Sequence, residues 1–452
     1  MELKDIFLTP IYLGIFYGIA FAVRPSFTNK YTKPYFIPAL TVKFVGAIAL
    51  GLIYQFYYGA GDTFNYFNES KVVYGAFGDS FSNGLRLLGS SDGTYTGELS
   101  RYISQIHWFY SPTEYFVVKV SAVCSLFCFS TYTVVALMFA IISFTGIWAL
   151  YMAFLRIAPA VYKELAYAIF FLPSVFFWGS GLMKDSLCIG AIGWAFYGFH
   201  RALIVRRRVF MSALLGLLGA YVLSAVKIYI LLSFMPPALL WMFNEYNQNI
   251  KSPVVRNLMR PLFLALGLGA GYLGATNLTA GDDKYDVEKI GARTQINQKF
   301  LYDLTKDQGS AYNIGSFDGS LGSMVKVAPQ AVIVTLYRPF LWEARNPIMM
   351  LSALEALILL GLTVKLFFDR GLFGGFSQIA SQPILTFCFL FSIILAIGVG
   401  TNSGNFGTLV RYKIPLMPFY LCALFIMRQK PVKKAALRTP APRRLATAGS
   451  WQ

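Results

Sequence analysis

The chain has 452 residues, of which 56% are apolar and only 13% charged, and its mean hydropathy is +0.55. Soluble domains carry about 25% charged residues, so this composition excludes an ordinary soluble protein and predicts a polytopic membrane protein. The formal net charge of +18 does not indicate a nucleic-acid partner, because the basic residues are dispersed between apolar segments rather than gathered on one face.

Eleven apolar segments are long enough to cross a membrane, at about 20 residues per crossing with shorter ones tolerated. They cover residues 8–23, 39–57, 132–155, 165–182, 187–204, 210–224, 228–243, 261–278, 347–368, 383–399 and 414–427. The predicted fold is all-α, a polytopic integral membrane bundle of about 11 transmembrane helices within residues 1–427. The N-terminus has no basic region or small-residue cleavage site, so we expect the first segment to be retained.

Orientation follows from the charges between the apolar segments. Two long polar segments, 59–115 and 281–326, hold most of the acidic residues and few of the basic ones, and we expect them outside the cytoplasm. The short basic connections are placed inside. The tail, residues 428–452, has seven basic residues and no acidic one, so it is predicted to be a disordered cytoplasmic tail near anionic headgroups.

The number of predicted crossings between residues 59 and 163 does not agree with the sides of the membrane assigned to these two residues. The segment 116–155 must supply an odd number of crossings, yet it looks like two, because a short apolar segment at 116–129 precedes the one at 132–155. Either the segment at 116–129, which Lys119 interrupts, is re-entrant or interfacial, or part of 72–88 dips into the membrane. The sequence leaves both alternatives open.

Asp62 is the candidate general base. It follows the second apolar segment in Gly59-Ala60-Gly61-Asp62, where two glycines let the chain turn tightly as it leaves the membrane. A carboxylate in a cleft of lowered dielectric is suited to accept a proton from an attacking hydroxyl. The alternative is that Asp62 only caps the helix that begins there.

Lys184 and Asp185 form a second candidate, at the tip of a predicted helical hairpin. An aromatic-rich apolar segment ends in Gly-Ser-Gly at 179–181, and the cation and anion precede the next segment. Charges left in hydrocarbon cost several kcal/mol, so these must lie at an interface or in a polar cavity. Lys184 is a candidate for neutralising a phosphate near a helix N-terminus. The alternative is an ion pair, with Asp185 favoured by the helix dipole.

A Gly/Asn-rich segment at 400–407, containing Asn402 and Asn405, leads into the last apolar segment through Arg411. Arginine is suited to bidentate phosphate recognition, although an arginine at this place can also extend towards lipid headgroups. Further candidates of the same kind are Lys227 and the pair Arg338 and Glu343.

The remaining reactive residue types predict little chemistry. The five cysteines all lie in apolar segments, and neither they nor His107 and His200 have metal-ligand spacing, so no disulfide framework and no zinc site is predicted. No cofactor is assigned, and a divalent cation is left as an open alternative.

Three short motifs together resemble a known family. They are Gly-Asp at 61–62 followed by Tyr66, Pro-Ser-x-x-Phe-Trp-x-Ser-Gly-x-x-Lys-Asp at 173–185, and Arg-Tyr-x-x-Pro-x-x-Pro at 411–418. In this order they resemble the bacterial polytopic glycosyltransferases of the GT-C type. The resemblance implies a polyprenyl-phosphate-linked sugar donor, Asp62 as the base, and Arg411 and Lys184 as ligands of the lipid phosphate. It also implies a bacterial plasma (inner) membrane.

One feature departs from that family, since the acidic loop follows the second helix rather than the first. In this respect the chain also resembles the polysaccharide polymerases of the exopolysaccharide and O-antigen type. Both families join sugars that are carried on polyprenyl lipids.

The predicted function is therefore transfer of a sugar from a polyprenyl-phosphate carrier to a glycan, lipid or protein acceptor outside the cytoplasm. Tyr66 is among the aromatic residues expected to stack on a sugar, and membrane lipids are expected partners. One alternative is a polysaccharide polymerase. Another is a flippase or transporter for lipid-linked glycans, in which the same charges bind without reacting. A polar, water-filled path would favour transport, and a cavity closed on the cytoplasmic side would favour an enzyme.

Overall fold

The computed structural model describes residues 2–90, 97–247, 252, 290–315 and 317–429. Over these residues the regular structure is helical, with one isolated bridge between Ala311 and Asn405, so the all-α prediction is confirmed there. In chain order the helices are α1 (Leu3–Phe27), α2 (Lys33–Phe56), α3 (Asp62–Asp79), α4 (Phe81–Gly89), α5 (Ser100–Ile103), α6 (Pro112–Leu126), α7 (Tyr132–Ile157), α8 (Tyr162–Phe170), α9 (Pro173–Trp178), α10 (Lys184–Phe199), α11 (Val209–Asn247), α12 (Ile290–Thr305), α13 (Leu321–Tyr337), α14 (Pro347–Arg370), α15 (Leu372–Ser381), α16 (Pro383–Asn402), α17 (Phe406–Tyr412) and α18 (Met417–Arg428).

Seven helices among the described residues are long and apolar enough to cross a membrane, namely α1, α2, α7, α10 with its π-helical extension to Ile204, α11, α14 and α16. The helices α17 and α18 form an eighth candidate, bent by 65°. The protein is therefore a helical membrane protein. The number eleven stays a prediction, since segment 165–182 is divided between α8 and α9 and segment 261–278 lies outside the described residues.

The helix α11 is a hairpin rather than one straight crossing. It breaks at Lys227, whose φ of −147° and ψ of 78° are not helical. Before the break, Gly216 lies against Gly198 near the end of α10. After the break, the Trp241 ring packs on His200, at that same end of α10. The two arms correspond to the predicted segments 210–224 and 228–243, and Lys227 lies at the tip between them.

The depth of α10 in the bundle is fixed by close backbone contact with α7. A Cβ on Gly146 would lie 1.9 Å from the carbonyl oxygen of Gly190, and a Cβ on Gly193 would lie 2.1 Å from that of Gly146. Small residues at a membrane helix crossing allow this approach. The N-terminus of α10, with Lys184 and Asp185, is thereby held at the end of the bundle where α2 ends and α7 begins, which we call the site end.

The segment between α2 and α7 begins and ends at the site end. The Thr63 hydroxyl lies 2.8 Å from that of Tyr132, and the Phe64 ring stacks on Tyr132 at 4.5 Å. The helix α6 packs along α3, with Ser121 donating to Ser70, and neither helix meets the requirement for a membrane crossing. Among the described residues between 59 and 163, α7 is the only candidate crossing, which gives the odd number that the predicted orientation requires.

One helix lies partly outside any predicted segment. The helix α13 runs antiparallel to α16, because Gly400 contacts Ala331 while Thr335, one turn further along, donates to the Ala396 carbonyl at 2.9 Å. It extends from the site end into the bundle. The predicted polar segment 281–326 thus contains α12 and the start of α13. Within the predicted tail the structure describes Arg428 and Gln429, and residues 430–452 lie outside the described residues.

Candidate functional site

A chain of four alternating charges lies at the site end. The carboxylate of Asp185, only 2% exposed, accepts from Lys227 Nζ at 2.5 Å through one oxygen and from Arg411 Nε at 2.5 Å through the other. Arg411 Nη1 in turn donates to Asp62 Oδ2 at 2.9 Å. Four sequence-predicted residues, from α3, α10, α11 and α17, therefore meet in one site whose formal charges cancel.

The turn before Asp62 explains how it reaches Arg411. Gly61 has a φ of +151°, and a Cβ there would lie 2.3 Å from the Tyr54 ring. Only glycine fits this conformation and this contact. Gly61 is the N-cap of α3, and Asp62 is its first residue, so the predicted capping role of the Asp62 side chain is not observed. The charge is still favourable at this helix start.

Lys227 and Arg411 are fixed by contacts at the ends of the helices that carry them. Lys227, at the tip of α11, lies over the Tyr412 ring at 4.1 Å. The Asn405 side chain accepts from the Thr408 backbone at 2.8 Å and so caps α17, which carries Arg411. Asn402 accepts from Asn297 at 3.1 Å through its backbone and side-chain oxygens. In this structure Asn405 caps α17, and Asn402 joins the end of α16 to α12.

The row of four charged side chains is exposed to solvent at one end, at Asp62. The Asp62 side chain is 45% exposed, whereas those of Arg411, Lys227 and Asp185 are largely buried. The second terminal nitrogen of Arg411, Nη2, has no hydrogen-bond partner among the described residues, so it retains donor capacity beside Asp62. A half-exposed carboxylate next to a partly committed guanidinium can exchange a proton and bind an anion in one place.

Lys184 belongs to a separate ion pair. Its Nζ lies 2.5 Å from Glu114 Oε1 and 3.0 Å from the Thr113 hydroxyl, both at the start of α6. Lys184, which the sequence assigned to a lipid phosphate, is therefore paired with the Glu114 carboxylate. Glu114 itself was not predicted, although a carboxylate in the first turn after Pro112 is a recognisable helix start.

Arg338 and Glu343 also pair with each other, Nε to Oε2 at 3.0 Å. The Arg338 guanidinium lies 5.2 Å from the centre of the Phe406 ring, and its backbone carbonyl accepts from Lys413 at 3.3 Å. These contacts support α17 from the side away from Asp185. They do not join the four-residue chain.

Tyr66 is 3% exposed, and burial raises the pKa of its phenol. Its ring is packed inside the protein in this structure, and its stacking on a sugar stays a prediction. Beside it, the half-buried Phe64 ring stacks on the buried ring of Tyr132.

Two further buried charges were missed because each lies inside an apolar segment. Glu355 in α14 accepts from the backbone N–H of Ser174 at 2.8 Å and from its hydroxyl at 2.6 Å, at the start of α9. Lys43 in α2 donates to the Gly179 carbonyl at 2.7 Å, at the end of α9. An anion at the N-terminus and a cation at the C-terminus both complement the dipole of this helix. Their role is structural.

No group of three or more His, Cys, Asp or Glu side chains that could hold a metal ion occurs in the part of the chain that the structure describes. The two carboxylates of the site are already bound to Arg411 and Lys227.

Below the site, aromatic rings from three of the described helices pack together. Phe196, Phe387, Phe391 and Phe419, from α10, α16 and α18, pack against one another with ring centroids 4.9–6.1 Å apart and with no exposed surface.

Comparison of the chain with protein-family models, with curated proteins and with solved structures finds no match. Fold and site together define a class, a helical membrane protein with one ion-paired, half-open site at one end of its bundle.

Proposed function

We propose that this protein is a membrane glycosyltransferase that takes its sugar from a polyprenyl-phosphate carrier. The observation that carries the proposal is the contact between Asp62 and Arg411, which are 349 positions apart in the chain and lie 2.9 Å apart at the opening of the site. The reaction needs a base for the acceptor hydroxyl and a cation for the leaving phosphate, and this pair supplies both groups in one site.

Asp62 accepts the proton of the acceptor hydroxyl as its oxygen attacks the anomeric carbon. The bond from that carbon to the phosphate oxygen breaks, and the lipid phosphate leaves with the electron pair. Arg411 stabilises the developing charge through Nη2, which is the kind of preorganised contribution that dominates many such reactions. Asp185 and Lys227 are positioning residues, because they hold the buried side of the guanidinium.

The pairing also suggests an order of events. While Arg411 Nη1 donates to Asp62 Oδ2, that oxygen is occupied and does not face a hydroxyl of the acceptor. A phosphate that binds Arg411 competes for the guanidinium and frees Asp62. The base thus becomes active when the donor is in place.

Among the described residues, the aromatic rings packed beneath the site favour an enzyme over a flippase or transporter, which requires a path through the bundle. A polysaccharide polymerase would use the same residues with a growing glycan as acceptor. We place the protein in the plasma (inner) membrane of a bacterium, with the site end outside and the C-terminus in the cytoplasm, on the distribution of basic residues.

The first test of the proposal is Asp62→Asn, which preserves size and most hydrogen bonding but cannot accept the proton. With a polyprenyl-phosphate sugar and the protein in lipid nanodiscs, turnover should fall by about 100-fold or more, with unchanged protein yield. Asp79→Asn is the matched control, since Asp79 is the exposed last residue of the same helix. Full activity of Asp62→Asn would remove Asp62 as the base.

The second test separates phosphate recognition from simple charge. Arg411→Lys keeps the charge but loses the planar fork that contacts Asp185 and Asp62 together, so turnover should fall strongly. Arg86→Lys, in an exposed pair with Glu98, should leave turnover unchanged. The parent protein should give no product from a soluble sugar nucleotide, and turnover of that donor would exclude a lipid-linked one.

A further inference from the structure

A pocket of about 320 Å³ lies beside Asp62 on the far side of the Gly59 to Gly61 turn, and the site described above does not use it. It is enclosed by the start of α1, the end of α2, the first turns of α3 and the start of α7. The charged and amide residues of its lining that matter below are Glu2, Asp5, Asn65, Asn68 and Lys71.

One wall of the pocket carries two exposed amide side chains. Asn65 and Asn68 are exposed, lie three residues apart on one face of α3, and have no hydrogen-bond partner among the described residues. Each carboxamide offers two donor hydrogens and an acceptor oxygen. Lys71, three residues further on, pairs with Glu2 at 2.6 Å across the pocket. This wall therefore presents several donors and acceptors at fixed helical spacing.

Aromatic rings form another part of the lining. Phe64 and Tyr132 stack with an interplanar angle of 27°, and Phe67 lies under the Lys71 ammonium at 4.9 Å. Asp5 is held by the Thr133 backbone N–H at 2.8 Å. These groups are fixed by their own contacts, so the pocket is preformed.

The charge and the polar groups of the pocket lining indicate which class of ligand it can bind. The lining contains two carboxylates, Glu2 and Asp5, and one cation, Lys71, so its formal charge is negative and it disfavours a phosphate. The exposed amides of Asn65 and Asn68 can pair with hydroxyl groups, which suits an uncharged sugar. We propose that this pocket binds a neutral saccharide.

The position of the pocket gives the saccharide a role. Asn65 is three residues beyond Asp62 in α3, a rise of about 4.5 Å, so a sugar held by Asn65 and Asn68 can extend a hydroxyl towards that carboxylate. The saccharide is then the acceptor of the transfer. Only this assignment as acceptor rests on the proposed function, and the binding itself does not.

Direct binding tests the inference without any turnover. The probes are cellotriose, chitotriose and mannotriose, offered to the protein in nanodiscs and followed by saturation-transfer NMR. We expect at least one to bind, and Asn65→Ala and Asn68→Ala each to weaken it by about tenfold, the effect of losing one good hydrogen bond. Asn83→Ala, half-exposed on the neighbouring α4, is the control and should bind like the parent.

The outcomes separate this inference from the proposed function. Binding that survives in Asp62→Asn but is lost in Asn68→Ala, with unchanged thermal unfolding midpoints, supports the pocket even if no transferase activity is found. Absence of binding by all three trisaccharides overturns the inference. Displacement of the bound trisaccharide by inorganic phosphate at millimolar concentration would also overturn it, because the pocket would then be an anion site.

Discussion

Two regions of this bundle bury charged side chains, and they differ in what the charges do. At the site end, Asp185 joins Lys227 and Arg411 from distant parts of the chain, and the chain of charges reaches solvent at Asp62. Around α9, Glu355 and Lys43 each contact one end of a six-residue helix, and both are buried. Burial of charge is common to both regions. The opening at Asp62 is what distinguishes a candidate site from a structural support.

The largest expected effect comes from replacing Asp185, which lies between Lys227 and Arg411 in the row of four charges. Asp185→Asn leaves Lys227 and Arg411 facing a neutral amide, and removing one partner of a buried ion pair typically costs about 3–5 kcal/mol. We expect a large fall in the thermal unfolding midpoint and in the yield of folded protein in detergent.

Asp303→Asn is the matched control, because Asp303 pairs with Lys306 at 3.2 Å on an exposed surface and the loss of such a pair has little effect. If Asp185→Asn were as stable as that control, the four charges would not form a chain in the folded protein.

A smaller effect is expected from the turn that aims Asp62. Gly61→Ala adds a Cβ that meets the Tyr54 ring at 2.3 Å and places alanine at a φ of +151°. Such backbone strain costs about 1–3 kcal/mol, and displacement of Asp62 should lower turnover at least about tenfold. Gly75→Ala, in the same helix with no atom within 4 Å of its added Cβ, should change neither stability nor turnover appreciably. Turnover equal to the parent in Gly61→Ala would show that the Asp62 position is not critical.

The sequence predicted which residues carry the site but not how they pair. Charges at the ends of apolar segments stand out, because hydrocarbon excludes them, and this singled out Asp62, Asp185, Lys227 and Arg411. Which of them meet depends on helix packing, since Arg411 and Asp185 are 226 positions apart. Lys184 was therefore assigned to a phosphate, whereas α6 brings Glu114 against it.

The fold was predictable where composition alone decides it and not where packing does. Long apolar segments gave the crossings, and the two arms of α11 were separated correctly because Lys227 interrupts the pattern. The helix α13 was missed because Lys326 and Pro329 interrupt its apolar pattern, and only its contact with α16 brings it into the bundle. Glu355 and Lys43 were missed because one charge in a long apolar segment does not reveal its partner.

The smallest expected effect concerns Glu355, in the region around α9. Glu355→Gln keeps the volume and one acceptor oxygen for Ser174, but it loses the negative charge at the start of α9 and the second acceptor. Helix caps and dipole contacts of this kind are worth about 0.5–2 kcal/mol, so the unfolding midpoint should fall modestly while turnover per folded molecule stays at the parent level. Glu164→Gln, exposed in the first turn of α8, should change neither quantity. If Glu355→Gln instead lowered turnover as far as Asp62→Asn does, with the midpoint unchanged, α9 would act in the reaction and not only in the framework. The open end at Asp62 would then no longer be the feature that separates the two regions.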